Sequence, residues 1–204
     1  MITEEGILKT QAIFNDDKTH RYLLKKTWDE SLPSAAILMT NASSSDVLRM
    51  DFTTMYAISN SSNLGYGSIS IVNIFSFMTT KLDLKSADIN SLKSDENEKQ
   101  IIQAAKDNDI FVVATGSLPA LNKKVGVYQD ELFKKLYDFK DKIKTIRASD
   151  GSENNHVLSP KIRFSWTLVP FKLPVNEVVQ AEAESSTPVP EEHKRQRTRK
   201  VTKK

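Results

Sequence analysis

Apolar positions along this chain come in two periods, and the alternation of those periods predicts its elements. Residues 7–14 and 19–26 read as extended, with Asn15-Asp16-Asp17 between them as a turn, so they predict a hairpin. Residues 34–40, SAAILMT, form a short continuous apolar run that predicts a buried strand. The polar stretch Asn41-Ala42-Ser43-Ser44-Ser45-Asp46 follows, and several of its residues can cap a helix predicted over 47–60. Gly65-Tyr66-Gly67 marks a turn whose two glycines would also let backbone approach a phosphate. Residues 68–75, SISIVNIF, are β-branched and predict a second buried strand. Between 86 and 108 an apolar stripe of Ile89, Leu92, Ile101, Ile102 and Ala105 predicts at least one helix. A strand over 110–115 ending at Gly116, an amphipathic helix over 128–139 and a short strand over 144–147 complete the pattern.

Strands alternating with helices predict an α/β three-layer sandwich: a mostly parallel sheet with helices on both faces. Such sheets bind ligands beyond the carboxyl ends of their strands. The polar residues that matter are then those at strand ends: Asn41, Asn73, Thr115 and the loop around His156.

Composition narrows the chemistry. The 204 residues are 39% hydrophobic, enough for a core, and include no cysteine, which excludes disulfides, thiolate metal sites and cysteine catalysis. His20, His156 and His193 are far apart in sequence, so no metal and no cofactor is expected. The longest apolar runs fall well short of the roughly 18 residues of a membrane span, and the first ten residues lack an apolar signal core, so a soluble, cytoplasmic protein is expected. Net charge is +3, but it is unevenly placed. The last twelve residues hold seven Lys and Arg and no acid, and residues 177–192 hold five acids and no base. That leaves 22 basic and 21 acidic residues in positions 1–176, so no global field draws nucleic acid to the body. From Pro174 onward the composition cannot bury a core. We expect one α/β domain over 1–174 and a disordered, acidic-then-basic tail over 175–204. Lys194, Arg195, Arg197, Arg199 and Lys200 in that tail could hold nucleic-acid phosphates through counterion release.

Residues 20–165 resemble the bacterial and phage family catalogued as domain of unknown function 1643. The resemblance rests on Arg21-Tyr22-Leu23-Leu24 with Trp28, Met39-Thr40-Asn41-Ala42-Ser43, Asp51-Phe52-Thr53, Gly65-Tyr66-Gly67 leading into Val72-Asn73-Ile74-Phe75, Val112-Val113-Ala114-Thr115-Gly116, and Gly151 with His156-Val157-Leu158. Three positions depart from the family pattern: Ala42 stands for a proline, Thr115 for a tryptophan and Val157 for a proline. The order of motifs is in turn similar to that of uracil-DNA glycosylases. That likeness implies a base flipped out of the stack, a residue after the first strand that positions water, an amide that reads the base, and a histidine on the base carbonyl.

On this resemblance Asn41 positions the water, with the nearby carboxylates Asp51 and Asp46 supplying charge. Asn73 reads the base edge through its donor and acceptor. His156 stabilises the negative charge of the departing base, and Phe52 is the preferred stacking residue over Tyr66, Phe75 and Phe77. Each has a plainer reading: Asn41 and the aspartates as helix caps, Asn73 as a tie to a loop, His156 as an exposed loop residue, Phe52 as core. The leading expectation is a DNA-binding protein that excises an unusual or modified base, with Asn41, Asn73 and His156 converging on one cleft. The rivals are a catalytically inactive nucleic-acid or nucleotide-binding module, and a phage-defence or mobile-element interaction protein without nucleic-acid chemistry.

Overall fold

A computed structural model describes residues 1–79, 88, 92–117 and 122–174 of the chain. Seven strands form one sheet: β1 (Lys9–Phe14), β2 (Arg21–Thr27), β3 (Ser34–Asn41), β4 (Ser68–Phe75), β5 (Ile110–Val113), β6 (Ile143–Arg147) and β7 (Thr167–Pro170), in the order β1-β2-β4-β3-β5-β6-β7. Helices accompany them among the described residues: α1 (Phe52–Asn63), α2 (Asp95–Asp107) and α3 (Lys123–Lys135), the last followed by a 3-10 turn over Tyr137–Lys142. Residues Met1–Pro174 make a compact unit. The tail over 175–204, with Lys194, Arg195, Arg197, Arg199 and Lys200, lies outside the described residues, as does Ile89 of the predicted stripe.

The sheet corrects the expectation of mostly parallel pairing. β4, β3, β5 and β6 run parallel, but β1–β2, β2–β4 and β6–β7 are antiparallel. The fold is a mixed α/β arrangement. The reason lies in the connections. A parallel step needs a crossover of a dozen or more residues. The chain spends such lengths on its parallel steps between β3 and β4, β4 and β5, and β5 and β6, whereas β1 and β2 are joined by a tight turn and β7 returns antiparallel after the connection over 148–166.

Alternation along β3 sorts the core. Ala36 and Leu38 face one cluster with Val72, Phe111 and Val113, where α2 adds Ile101 and Ala105 and α3 adds Tyr128, Leu132 and Phe133. Ala35, Ile37 and Met39 face the other, with Ile69, Ile71, Val112 and Ala57 of α1. Val157, Ile162 and Trp166, from the long connection between β6 and β7, close that second cluster. β7 itself had no counterpart in the sequence reading. Its residues are exposed or half-buried, because it is an edge strand with little apolar signal.

Helix boundaries shifted where capping chemistry outweighed apolar spacing. α1 starts at Phe52, not 47, because Asp51 accepts the Thr54 backbone N–H at 2.7 Å and acts as N-cap. Asp46 instead closes a turn, accepting from the backbone N–H groups of Leu48 and Arg49 at 2.8 Å each. α3 starts five residues early, capped by the Asn122 side chain. Among the described residues no helix is long and apolar enough to cross a membrane.

The Gly65-Tyr66-Gly67 turn leads into the amino end of β4. It therefore sits at the opposite sheet edge from Asn41 and Asn73. A Cβ on Gly67 would lie 1.8 Å from the Asp29 carbonyl oxygen, and the Gly67 carbonyl accepts from Trp28 and Asp29 N–H. The glycine serves backbone packing between β2 and β4, and that space holds protein, not phosphate. Gly67→Ala is expected to destabilise the fold by about 1–3 kcal/mol or more through overpacking, read as a lower urea midpoint with an unchanged slope.

Candidate functional site

The carboxyl ends of β3, β4, β5 and β6 open on one edge of the sheet, and the loops there carry most of the residues singled out above. The strand register sets Met39 level with Asn73, and Asn41 level with Phe75. The loop after β3 leads through residues 42–50 to the N-cap of α1. The loop after β6 passes Gly151 and Asn154 to His156.

At the base of this edge lies Arg21, the first residue of β2 and only 2% exposed. Its guanidinium donates to the Ser45 carbonyl at 2.6 Å and the Ser43 carbonyl at 3.5 Å, and to Asn73 Oδ1 at 3.3 Å. Burial lowers its pKa to about 10, against the pull of Asp51 and Asp46, so it stays charged at neutral pH. Arginine is a donor only, which settles the orientation of the Asn73 amide. Asn73 Oδ1 faces Arg21, and Nδ2 is a buried donor without a partner among the described residues. Asn73 is 1% exposed, so the candidate reader sits at the floor of the edge, not on its surface. Lys26, on the same strand, donates to the Asp46 and Val47 carbonyls at 3.3 Å each. Two buried cations thus hold the loop that leads to Asp51. Sequence reading quoted Arg21 as a motif residue but assigned it no role. Its signal was a charged residue opening a strand, and nothing local announced that it would be buried.

Asp51 combines both readings offered for it. It caps α1, and it stands close enough in effect to raise the pKa of both Arg21 and His156. Burial alone would raise its own pKa. Hydrogen bonds from the Ser43 side chain, the Thr54 backbone and side chain, and the Ser45 side chain outweigh that and hold the carboxyl below its usual range. Asp46 is half-buried and pairs with Arg49 at 3.0 Å.

His156 is half-buried, and burial lowers its pKa, with Asp51 opposing in part. Its Nδ1 accepts the Leu158 backbone N–H at 3.2 Å. A neutral ring bonded in that way carries its proton on Nε2. The loop is held by Asn154, at φ 53°, whose Oδ1 accepts the Thr115 N–H at 3.0 Å and whose own N–H donates to Thr145 Oγ1 at 3.0 Å. Gly116, at φ +68°, lets His156 pack against it, since a Cβ there would lie 3.1 Å from the His156 Cβ. Asn154 is the second residue that sequence reasoning missed.

Asn41 is placed less favourably for chemistry. Its Nδ2 donates to the Thr79 carbonyl at 3.1 Å, tying the loop after β3 to the loop after β4. It does not cap α1. Phe52 is exposed, not core, and with Met50, Asp51 and Met55 it lines a shallow cleft of about 350 Å³. Phe75 is buried and stacks on Tyr128. His20 is half-buried and hydrogen-bonds Ser76 Oγ at 2.9 Å. Among the described residues no three His, Cys, Asp or Glu side chains gather so as to hold a metal ion.

The edge built by Arg21, Asn41, Asp51, Asn73, Gly116 and His156 coincides with a sequence match. A family model described as "Protein of unknown function (DUF1643)" covers residues 21–158, more than half the chain. The chain belongs to the DUF1643 family. Arg21 opens the matched region and Leu158 closes it, so the DUF1643 segment contains every element of the edge described above. No curated protein and no solved structure matches the chain. The three departures from the DUF1643 pattern, Ala42, Thr115 and Val157, are fully buried. They sit within the packing behind the edge. Thr115 even contributes there, because its hydroxyl accepts from Asn154 Nδ2 at 3.0 Å.

Two outcomes follow from this geometry. The His156 ring should titrate below 6.5 in a 1H–15N NMR experiment, and Asp51→Asn, which keeps a good N-cap, should lower its pKa further. Because the unfolded chain binds that proton first as pH falls, His156 should contribute stability above its unfolded pKa that is lost as pH drops through the folded one. Separately, Arg21→Met should leave Asn73 Oδ1 and the Ser45 carbonyl without this donor. At roughly 1–3 kcal/mol for each buried acceptor left unpaired, the denaturant midpoint should fall sharply.

Proposed function

We propose that this protein binds DNA and excises an unusual or modified base by N-glycosidic hydrolysis at the carboxyl edge of its sheet, on a fold of the uracil-DNA-glycosylase kind. The observation that carries the reading is His156. Its Nδ1 is engaged by the Leu158 N–H, and its pKa is lowered. A neutral imidazole with its proton on Nε2 is the donor that a departing base anion requires. Asp51, ionised well into mildly acidic pH, is the carboxylate that opposes the positive charge developing on the sugar. Asn73 offers Nδ2–H to a base carbonyl once the loops above it part, and Phe52 offers a ring face. Asn41 presents its amide oxygen to water, while its nitrogen stays on Thr79.

In bond terms, the C1′–N bond breaks, its electrons go to the base, and the Nε2–H of His156 stabilises that charge. Water adds to the sugar carbon, and its proton leaves to solvent or base.

One observation favours a second reading, a binding module without hydrolysis. The Asn41 nitrogen and Asn73 oxygen are both occupied by protein partners, which leaves the site fewer groups for chemistry. Incubation with DNA carrying a panel of modified bases, followed by cleavage at abasic sites, separates the two. Excision is expected, with His156→Ala slowing turnover by on the order of a hundredfold or more while leaving binding in place. Excision should fall as pH drops through the lowered His156 pKa, because a protonated Nδ1 can no longer accept the Leu158 N–H that holds the ring in place. Excision that survives His156→Ala, Asn73→Ala and Asn41→Ala together would end the mechanism. Tight binding with no excision of any base would establish the binding module.

A further inference from the structure

Two buried polar atoms without a hydrogen-bond partner among the described residues belong to a single contact: Arg21 Nε and Asn73 Nδ2. Both side chains are almost wholly buried, at 2% and 1% exposed. Leaving a buried donor unpaired is costly, and two within one side-chain pair point to a ligand. Both atoms are donors. The acceptor side of the pair is closed, because Asn73 Oδ1 accepts from Arg21 Nη2 at 3.3 Å. The amide cannot turn over without setting its Nδ2 against a guanidinium that only donates. Asn73 is thus a donor alone, where a free asparagine offers a donor and an acceptor side by side.

Neighbouring groups keep this bias. Val72 and Ile74, on either side of Asn73, join the core under α2, so the Asn73 side chain points to the α1 face. Asn97, whose Oδ1 is a buried acceptor without a partner among the described residues, belongs to α2 on the opposite face. The Asp51 carboxylate is taken up by Ser43, Ser45 and Thr54. His156 adds a further donor, since the Leu158 N–H on Nδ1 leaves its proton on Nε2.

Base chemistry then selects the ligand. Adenine and cytosine set an exocyclic amine beside a ring acceptor, and that amine would meet these donors. Uracil sets a ring N–H beside its oxo groups. The edge of a 6-oxopurine presents two adjacent acceptors, O6 and N7, and no donor. We infer that Arg21 is a specificity-determining residue of this site: by fixing Asn73 as a donor it makes the site select a 6-oxopurine, read at O6 and N7, over an aminopurine or a pyrimidine. Arg21 has two parts in this, holding the amide and adding its own Nε–H. The inference rests on the site reading given above, including the parting of the loops over Asn73, and not on hydrolysis.

The test measures binding by the full chain to fluorescein-labelled single strands that differ only in one central base: hypoxanthine, 7-deazahypoxanthine, adenine or uracil. Anisotropy titrations at fixed salt give affinity ratios in which phosphate contacts and any contribution of the tail cancel. Hypoxanthine is expected to be held about five- to a hundredfold tighter than adenine or uracil, and loss of N7 in 7-deazahypoxanthine should cost about two- to tenfold. Asn73→Asp keeps an acceptor for Arg21 but replaces the donor by an oxygen, so the preference should swing to adenine, whose amine donates. Arg21→Met releases the amide, and the hypoxanthine-to-adenine ratio should fall close to one. The ratio is read within each folded protein, so lost stability alone leaves it unchanged, and Asn73→Asp decides if Arg21→Met does not fold. Equal affinity for hypoxanthine and adenine in the unaltered chain would overturn the inference. So would a hypoxanthine preference that persists in Asn73→Asp or in folded Arg21→Met. Selective binding without excision would sustain the inference and remove only hydrolysis, whereas excision without selectivity would do the reverse.

Discussion

A guanidinium buried at the start of β2 is the constraint on which the candidate edge depends. Arg21 cannot leave water without satisfied donors, and the groups that satisfy it are the Ser45 carbonyl and the Asn73 amide. Three separate pieces of chain are thereby fixed to one another: the opening of β2, the carboxyl end of β4 and the loop after β3. That loop ends at Asp51, whose carboxylate acts on Arg21 and on His156. Removing the cation would release an amide orientation, a loop and an electrostatic balance together.

On the other side of the edge the organising contact is between Asn154 and Thr115. It sews the loop after β6 to the end of β5, and Gly116 leaves room for His156 beside it. The imidazole is then held by packing on one side and by the Leu158 N–H on its Nδ1. Its lowered pKa and its tautomer both come from this placement. The proposed chemistry draws on two supports: cations below the loop that leads to α1, and an asparagine clamp below the histidine.

Antiparallel flanks on a parallel centre give this architecture its asymmetry. The parallel strands β4, β3, β5 and β6 send successive loops to the same edge, which is why residues as distant in sequence as Asn41 and His156 serve one edge. The antiparallel flanks add Arg21 and Lys26 from β2, and the connection into β7 carries His156. A wholly parallel sheet would not have brought a strand's first residue, Arg21, to the carboxyl end of β4.

Most elements were legible in the sequence because their signal is local. Alternation in β1 and β2, the β-branched run of β4 and the apolar run of β3 each record the burial of adjacent side chains, which period alone reveals. The residues quoted for the resemblance, Arg21, Asn73, Asp51 and His156, gather at one edge of the sheet. Boundaries were less legible, since whether Asp46 or Asp51 caps α1 depends on which loop conformation lets its carboxylate reach an N–H. The weakly apolar β7 and the direction of the flanking strands were not legible, because pairing is set by partners far away in the chain. Nor did composition reveal that Arg21 and Lys26 are buried, that the Asn73 oxygen is engaged while its nitrogen is not, or that Phe52 faces water. The sequence by itself determined the elements, the core residues and the chemical types at the edge, for these follow from neighbours along the chain. Only the tertiary structure decided which donor meets which acceptor, because hydrogen-bond partnership and desolvation arise between segments that the sequence keeps apart.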